Sequence, residues 1–523
     1  GWPDMDVPRV GGTPSYSLAA DEVPWVLGTQ LSMDHGPLGR AEPGSTVLLV
    51  EARAFAARKP FHAQKLTLLF SAMRHFRDRL EAAGYDVEYR QAETFQEALS
   101  AFFAAHPDRT LVTMASPSWG SADRLRELAA AAGGSVRVVE NDLFLSSPAA
   151  VEEWTGEDRQ LRHEQFYRWM RRETGVLMDG EEPEGGEWNY DDRNREFPPA
   201  DWDTPPRLTH EPDALTERTA VWVEETFDTW GEPEPFEWPV TRDGALAQLE
   251  HFLEHRLPEF GPYQDAMRND DWAMAHALLS PALNLGLLRP GEVVAGAVEA
   301  YRGREAVSLA SVEGFVRQVL GWREFVRHAY RRGMPDLADA NQLGADRPLP
   351  EWYWTGETDM ACLAGAIEDV RSRGYAHHIQ RLMVLANVAT LWGVNPAALN
   401  DWFHATFVDA YHWVTTPNVV EMGAYGDGLF ATKPYVASAN YVDRMSDYCE
   451  GCQYDPDATT GDGACPLNAL YWAFLARNED QLRSNHRMGL MYGHLDDKRE
   501  AGDLAAIEAR VEELRALDAR GEL

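Results

Sequence analysis

Near residue 245 the chain changes its hydrophobic period, and that change demands two different architectures in one protein. Before residue 150, short apolar runs of buried-strand type alternate with helical stretches. The runs are Val23 to Leu27, Val47 to Glu51, Val87 to Tyr89, Thr110 to Met114 and Val136 to Val139. The helical stretches are Gln64 to Ala83, with Leu68, Ala72, Phe76 and Leu80 recurring every four residues, then Phe95 to Ala105 and Ala122 to Ala132. This alternation predicts an α/β domain with a doubly wound parallel sheet over residues 1–150. LGTQLS after the first strand carries one glycine, so a GxGxxG dinucleotide loop is not supported.

Beyond the change no strand pattern survives, and residues 246–523 read as all-helical. The expected helices are Ala245 to His255, Trp272 to Leu279, Pro290 to Tyr301, Ser311 to Arg332, Cys362 to Arg373, Ala376 to Trp392, Pro396 to Ala405, Leu467 to Arg477 and Leu504 to Leu517. Residues 151–245 read as an interdomain linker. Its stretch from Gly180 to Glu237 is dense in Pro, Gly, Asp, Glu and Trp, and Trp188 and Trp202 imply that it packs on the protein.

Against 48 Lys plus Arg stand 84 Asp plus Glu, a formal charge of −36, and the only lysines are Lys59, Lys65, Lys433 and Lys498. Such a surface repels itself in dilute buffer and suits concentrated salt, where the Debye length falls to about 3 Å. It reads as a halophile's solvated surface, with carboxylates spread from Asp4 to Glu522. A nucleic-acid partner stays open, because an arginine-lined cleft can persist inside a negative average. No run of about 18 apolar residues occurs, and the opening residues lack a basic-then-apolar signal. A cytoplasmic location is expected.

The cysteines are Cys362, Cys449, Cys452 and Cys465, spaced C-x86-C-x2-C-x12-C. Two thiolates three residues apart with a third close behind are a strong metal signal. Four-thiolate zinc and a [4Fe-4S] cluster both fit the spacing, and Cys465-Pro466 is a frequent cluster corner. His377 and His378 precede Arg381 by four and three residues beside an apolar stripe, a pattern that balances a lined pocket against ordinary packing. Most of the helical half's tryptophans are core.

GWREF (Gly321 to Phe325) and LLSPALN (Leu278 to Asn284) resemble the flavin domain of the photolyase and cryptochrome family. YQDAM, EGFVRQVLGWRE, YWTGETDMAC, YAHHIQRLMV, DAYHWV, KPYVASANY, RMSDYCEGC and ACPLNALYW resemble its iron-sulfur bacterial subfamily, which includes prokaryotic (6-4) photolyases. SAMRHF and GGEWNYD extend the likeness into the first domain and the linker.

The resemblance implies an α/β antenna-type domain followed by an all-α FAD-binding domain, with the four cysteines as [4Fe-4S] ligands. It implies FAD contacts from Leu278, Leu279, Ser280, Gln318 and Arg323, with Arg381 and Asp409 nearer the isoalloxazine. His377, His378, Tyr435 and Asp265 match the family's lesion pocket, and Trp402 and Trp354 match its electron relay. The implied function is light-driven repair of (6-4) photoproducts in UV-damaged DNA by a monomer. The alternative is a blue-light receptor of cryptochrome type, and a DNA-binding protein with structural zinc is a distant third.

Several positions depart from the family. Thr29 stands where relatives have the carboxylate of GDQLS, and Phe55 where they have a glutamate; both are expected contacts to a ribityllumazine antenna. Phe403 replaces a tyrosine after the relay tryptophan, and Thr415 replaces a glutamate near the flavin. The charge yields a direct expectation: the melting temperature rises between about 0.1 M and about 2 M KCl as like-charge repulsion is screened. A flat profile over that range contradicts the halophile reading.

Overall fold

The alternating pattern before residue 150 builds a parallel sheet from β1 (Glu22–Pro24), β2 (Thr46–Ala52), β3 (Asp86–Ala92), β4 (Thr110–Met114) and β5 (Val136–Val139). The strands pair as β1-β4-β5 and β2-β3, all parallel. Just past β1, Trp25 N–H donates to Val112 O at 2.8 Å and Val26 N–H to Leu48 O at 3.0 Å, which joins the two groups in the order β3-β2-β1-β4-β5. Side chains of β2 alternate between two cores, Val47 and Leu49 in one, Leu48 and Val50 in the other. Helices on both faces follow from that alternation. The computed structural model describes residues 5–156 and 160–523, so residues 1–4 of the first expected domain and 157–159 of the expected linker lie outside it.

The linker is more ordered than its composition predicts. It holds helices Pro148–Thr155, His163–Thr174 and Ala214–Thr226 and a two-residue hairpin, Met178–Asp179 with Glu182–Pro183. The Asp213 carboxylate accepts from Thr216 N–H at 2.9 Å and starts the third helix. Its Trp222 and the following Phe227 lie 5.1 and 6.1 Å from Phe70. Trp188 sits against the guanidiniums of Arg168, Arg171 and Arg172, and Trp202 against Tyr263 at 4.9 Å.

From Glu184 onward the named elements are all helical. Among the described residues four π-helical turns interrupt the helices, at Phe252–Arg256, Arg317–Arg323, Gln380–Ala386 and Pro417–Gly423. Two expectations need correction. Trp272 to Leu279 is not a helix but an irregular segment with Met274 and Leu278 at φ of 43° and 58°. The reason is Arg256, whose buried guanidinium takes the carbonyls of Ala273, Met274 and His276 from the side, together with those of Pro205 and Pro206 in the linker. The helix expected from Ala376 starts at His378, because Gln380 Oε1 accepts the His377 N–H at 3.0 Å.

The boundary near residue 150 is not a packing boundary. Val26, Val47, Leu49 and Phe70 share one core with Leu253, Phe315 and Val326 of the helical half. The start of helix Ala63–Ala82 is the polar joint. His62 Nε2 donates to Val370 O or Arg371 O at 2.9 and 3.0 Å, and burial lowers its pKa to about 4, so it is neutral near pH 7. Gln64 Nε2 donates to Glu232 O and Ser372 O at 2.9 and 2.7 Å. Lys65 Nζ, fully buried, donates to His404 O and Ala410 O, both at 2.6 Å. Replacing Lys65 by Met leaves two buried carbonyls without a donor, at about 1–3 kcal/mol each. Lys65→Met is therefore expected to lower the urea midpoint clearly, and an unchanged midpoint refutes a structural role for the joint.

Candidate active site

A cavity of about 640 Å³ lies inside the helical half. Three of the four π-helical turns line it directly, through Gln318 and Arg323, through Arg381 and Leu382, and through Asn418 and Val419. The fourth supplies Arg256, which fixes the irregular segment leading to Leu278, Leu279 and Ser280 on the wall. A π turn inserts an extra residue and rotates the rest of the helix, so it brings side chains to a wall that a regular helix turns away.

A buried ion pair organises one side. Arg381 Nη1 and Nη2 meet Asp409 Oδ1 and Oδ2 at 3.1 and 2.9 Å. Ser280 Oγ donates to Asp409 Oδ2 at 2.7 Å, and Asn284 Nδ2 to the Asp409 carbonyl at 2.8 Å. Burial pushes the Asp409 carboxyl up, but Arg381 and the Ser280 hydroxyl outweigh it, and its pKa ends below the usual carboxylate value. The Arg381 guanidinium is thereby committed to Asp409 and, through Nε, to the Ala376 carbonyl, and among the described residues it bonds the imidazole of neither His377 nor His378.

Arg323 is different. Its guanidinium lies on the cavity wall over Phe144 and Trp413, at 4.8 and 5.4 Å, and its Nε and Nη1 have no hydrogen-bond partner. The Glu324 carboxylate stands 3.6 Å from Nη1, near enough to attract it but too far for a hydrogen bond. Burial lowers the Arg323 pKa to about 10, leaving it charged. A buried cation with two free N–H groups calls for an anion, and a diphosphate fits it. Together with the cavity size and Leu278, Leu279, Ser280 and Gln318 on the same wall, the donor set suits FAD.

The histidines occupy another part of the cavity. His378 Nε2 faces Asp265 Oδ1 at 2.9 Å, both on the wall, with Tyr435 also on it and partly exposed. His377 does not reach the wall. It is fully buried and stacked on His276, with ring centroids 4.5 Å apart and planes at 18°. His276 does line the cavity, 5.5 Å from His378 and edge-on to it. Burial first, then the neighbouring imidazoles and Arg381, hold His276 and His377 well below the ordinary histidine pKa, so both are neutral. The three rings have nitrogens within 4.8 Å of one another. Lone pairs lie in the ring plane, so two nearly parallel stacked rings cannot point them at one ion, and the trio is not a metal cage.

The expected relay residues sit outside the cavity. Trp402 is fully buried, its Nε1 donating to Tyr353 O at 3.1 Å, and its ring lies 5.1 and 5.9 Å from Phe403 and Phe407, which form the wall. Among the described residues, the ring contact of Trp354 is with Trp230 at 6.0 Å and not with Trp402. Thr415 is on the wall.

The four cysteines come together at a second place, around Met360, Val442, Tyr448 and Tyr454. Burial and the neighbouring thiols raise Cys362 well above the ordinary value. Burial and nearby Asp443 push Cys449 up to about 12, and burial pushes Cys465 up to about 11, so without a cation these sulfurs keep their protons. Four thiols gathered around one apolar pocket suit either a zinc ion or a [4Fe-4S] cluster. Gln380 links this region to the histidines, donating to Asp369 Oδ2 at 2.8 Å and bonding Tyr448 Oη at 3.0 Å, while accepting from His377 N–H.

Sequence reasoning missed His276 and Arg256. His276 stands two residues before Leu278 in AHALLSPALN, inside a stretch already singled out, but helical spacing hid its exposure to the cavity.

Comparison with known proteins places these features. A family model described as "Deoxyribodipyrimidine photo-lyase-related protein" matches residues 24–238. The fold resembles those of a bacterial class III photolyase from Agrobacterium tumefaciens (TM-score 0.56, 16% identity, 82% of this chain and 85% of that one) and a Synechocystis cryptochrome (TM-score 0.57, 14% identity, 83% and 87%). A curated (6-4) photolyase of Agrobacterium fabrum is 42% identical over 477 residues, covering 89% of this chain and 94% of that protein. Identity sustained across both halves, over one sheet domain and one cavity-bearing helical unit, means that the chain belongs to the photolyase-related family that contains the (6-4) photolyase.

Proposed function

We propose that this chain repairs (6-4) pyrimidine photoproducts in DNA under light. The carrying observation is the 42% identity to a (6-4) photolyase across nearly the whole chain, joined to an imidazole–carboxylate pair on the wall of the cavity. When bound, reduced FAD supplies the light absorption and electron donation that the reaction needs. Arg323 is proposed to hold the diphosphate, with Leu278, Leu279, Ser280 and Gln318 around it, and Arg381 and Asp409 to line the ring end. The damaged dinucleotide must leave the helical stack to reach such a cavity, at a cost of a few kcal/mol that a distorted lesion lowers.

Within the cavity His378 gives a proton to the opening lesion. Asp265 holds the ring at Nε2, Tyr435 borders the same space, and His377 supports the pair from behind. Trp402 and Trp354 serve electron supply, with Phe403 as a wall that is much harder to oxidise than tyrosine. Thr29 and Phe55 offer no carboxylate to a ribityllumazine, and Phe55 is exposed with Arg58 stacked over it at 3.6 Å, so antenna binding is weak or absent. The acidic surface is that of a halophile. Among the described residues no helix is long and apolar enough to cross a membrane.

For the cysteines we propose a [4Fe-4S] cluster, supported by the gathering of all four at one place and by the likeness of their motifs to the iron-sulfur subfamily. Cys452→Ala is expected to lose iron and sulfide and to melt the helical half at lower temperature, because ligation and folding are coupled. Stoichiometric zinc without iron in anaerobically purified protein contradicts the assignment.

The repair reading is tested by light on a duplex carrying one (6-4) lesion. The parent protein restores the pyrimidines. His378→Ala keeps flavin absorbance and photoreduction but loses repair by about 10²–10⁴-fold, the usual contribution of a placed proton donor. Repair at the parental rate in that variant refutes the donor assignment. A parent that repairs nothing points instead to a light receptor.

A further inference from the structure

The cavity presents two imidazoles, and the second is not the sequence neighbour of the first. His276 comes from the irregular segment, His378 from the start of a helix, and the rings meet edge-on at 5.5 Å. The His276 backbone is fixed at both ends, its N–H donating to Ala273 O at 3.0 Å and its carbonyl accepting from Arg256 Nε at 3.0 Å. Phe260 stands edge-on at 5.7 Å on one side and His377 is stacked on the other. The ring is held between these two on the cavity wall, and its Nε2 is buried with no hydrogen-bond partner.

A polar atom in that state is destabilising unless something completes it, and an apolar side chain would fill the same space without penalty. His378 already has Asp265, so the open position belongs to His276. Because His276 is neutral, it can accept a hydrogen bond at one nitrogen and donate at the other. A (6-4) photoproduct carries a hydroxyl or amino group on the saturated ring that an undamaged pyrimidine and a cyclobutane dimer both lack.

We propose that His276 is a specificity-determining residue that hydrogen-bonds this hydroxyl or amino group, while His378 handles the proton. The inference rests on the repair reading above. A site built to bond a polar group discriminates strongly against ligands without it, since its own buried nitrogen is then left unpaired.

The test uses the full chain loaded with FAD and measures Kd for a duplex with one (6-4) lesion and for the same duplex undamaged, at fixed salt. His276→Leu is expected to reduce the preference for the lesion about tenfold, near the value of one hydrogen bond, with flavin content and undamaged-DNA affinity unchanged. His276→Gln, whose amide donates and accepts, keeps most of the preference. If the Leu variant folds poorly, His276→Phe reads the same loss with the ring stack preserved. Parental preference in the Leu or Phe variant overturns the proposal, and so does a Gln variant as weak as Leu, which means packing alone. A parent that does not distinguish the two duplexes overturns the repair reading and this inference with it.

Discussion

The buried pair of Arg381 and Asp409 is where the separate parts of the chain meet. The aspartate's segment is held from four directions: Arg381 and Ser280 on the carboxylate, Asn284 on the Asp409 carbonyl, and Lys65 on the Ala410 carbonyl. Lys65 belongs to the sheet domain, Ser280 and Asn284 to the short helix after the irregular segment, and Arg381 to a π turn. Removing one member of a buried pair leaves an uncompensated charge, at about 3–5 kcal/mol. The orientation of the two halves and the shape of the cavity therefore stand or fall together.

The cavity contrasts with the surface. Outside, carboxylates dominate, with a net charge of −36. Inside, several charges on the wall have defined roles, with Arg381 neutralised by Asp409, Asp265 set against His378, and Arg323 keeping free N–H groups. The wall charges are thus set apart from the average field, because interactions are strong inside a low-dielectric wall whereas the surface carboxylates are screened by salt beyond a Debye length.

The three histidines show how position assigns chemistry to identical side chains. His378 has a carboxylate and access to the cavity. His276 has access and no partner at Nε2, and His377 has neither, lying fully buried with both ring nitrogens unpaired. Burial keeps the last two neutral, and of the three only His378 has a carboxylate partner among the described residues.

Local patterning in the sequence determined the doubly wound sheet, the helical second half and the grouping of Cys449, Cys452 and Cys465, because hydrophobic period and ligand spacing act over a few residues. Family motifs also pointed to Leu278, Ser280, Arg323, Arg381 and Asp409, all of which line one cavity. Only the tertiary structure decided which histidine accompanies His378. A period of 3.6 cannot register a π turn, nor can it foresee that Arg256, from a separate element, strips Trp272 to Leu279 of its helical hydrogen bonds and turns His276 to the wall. The merging of the two halves into one core was equally invisible, since it depends on a buried lysine finding two carbonyls more than 330 positions further along the chain. Helices and strands come from neighbours in sequence, whereas the contents of a cavity come from which distant backbone groups a buried cation can reach.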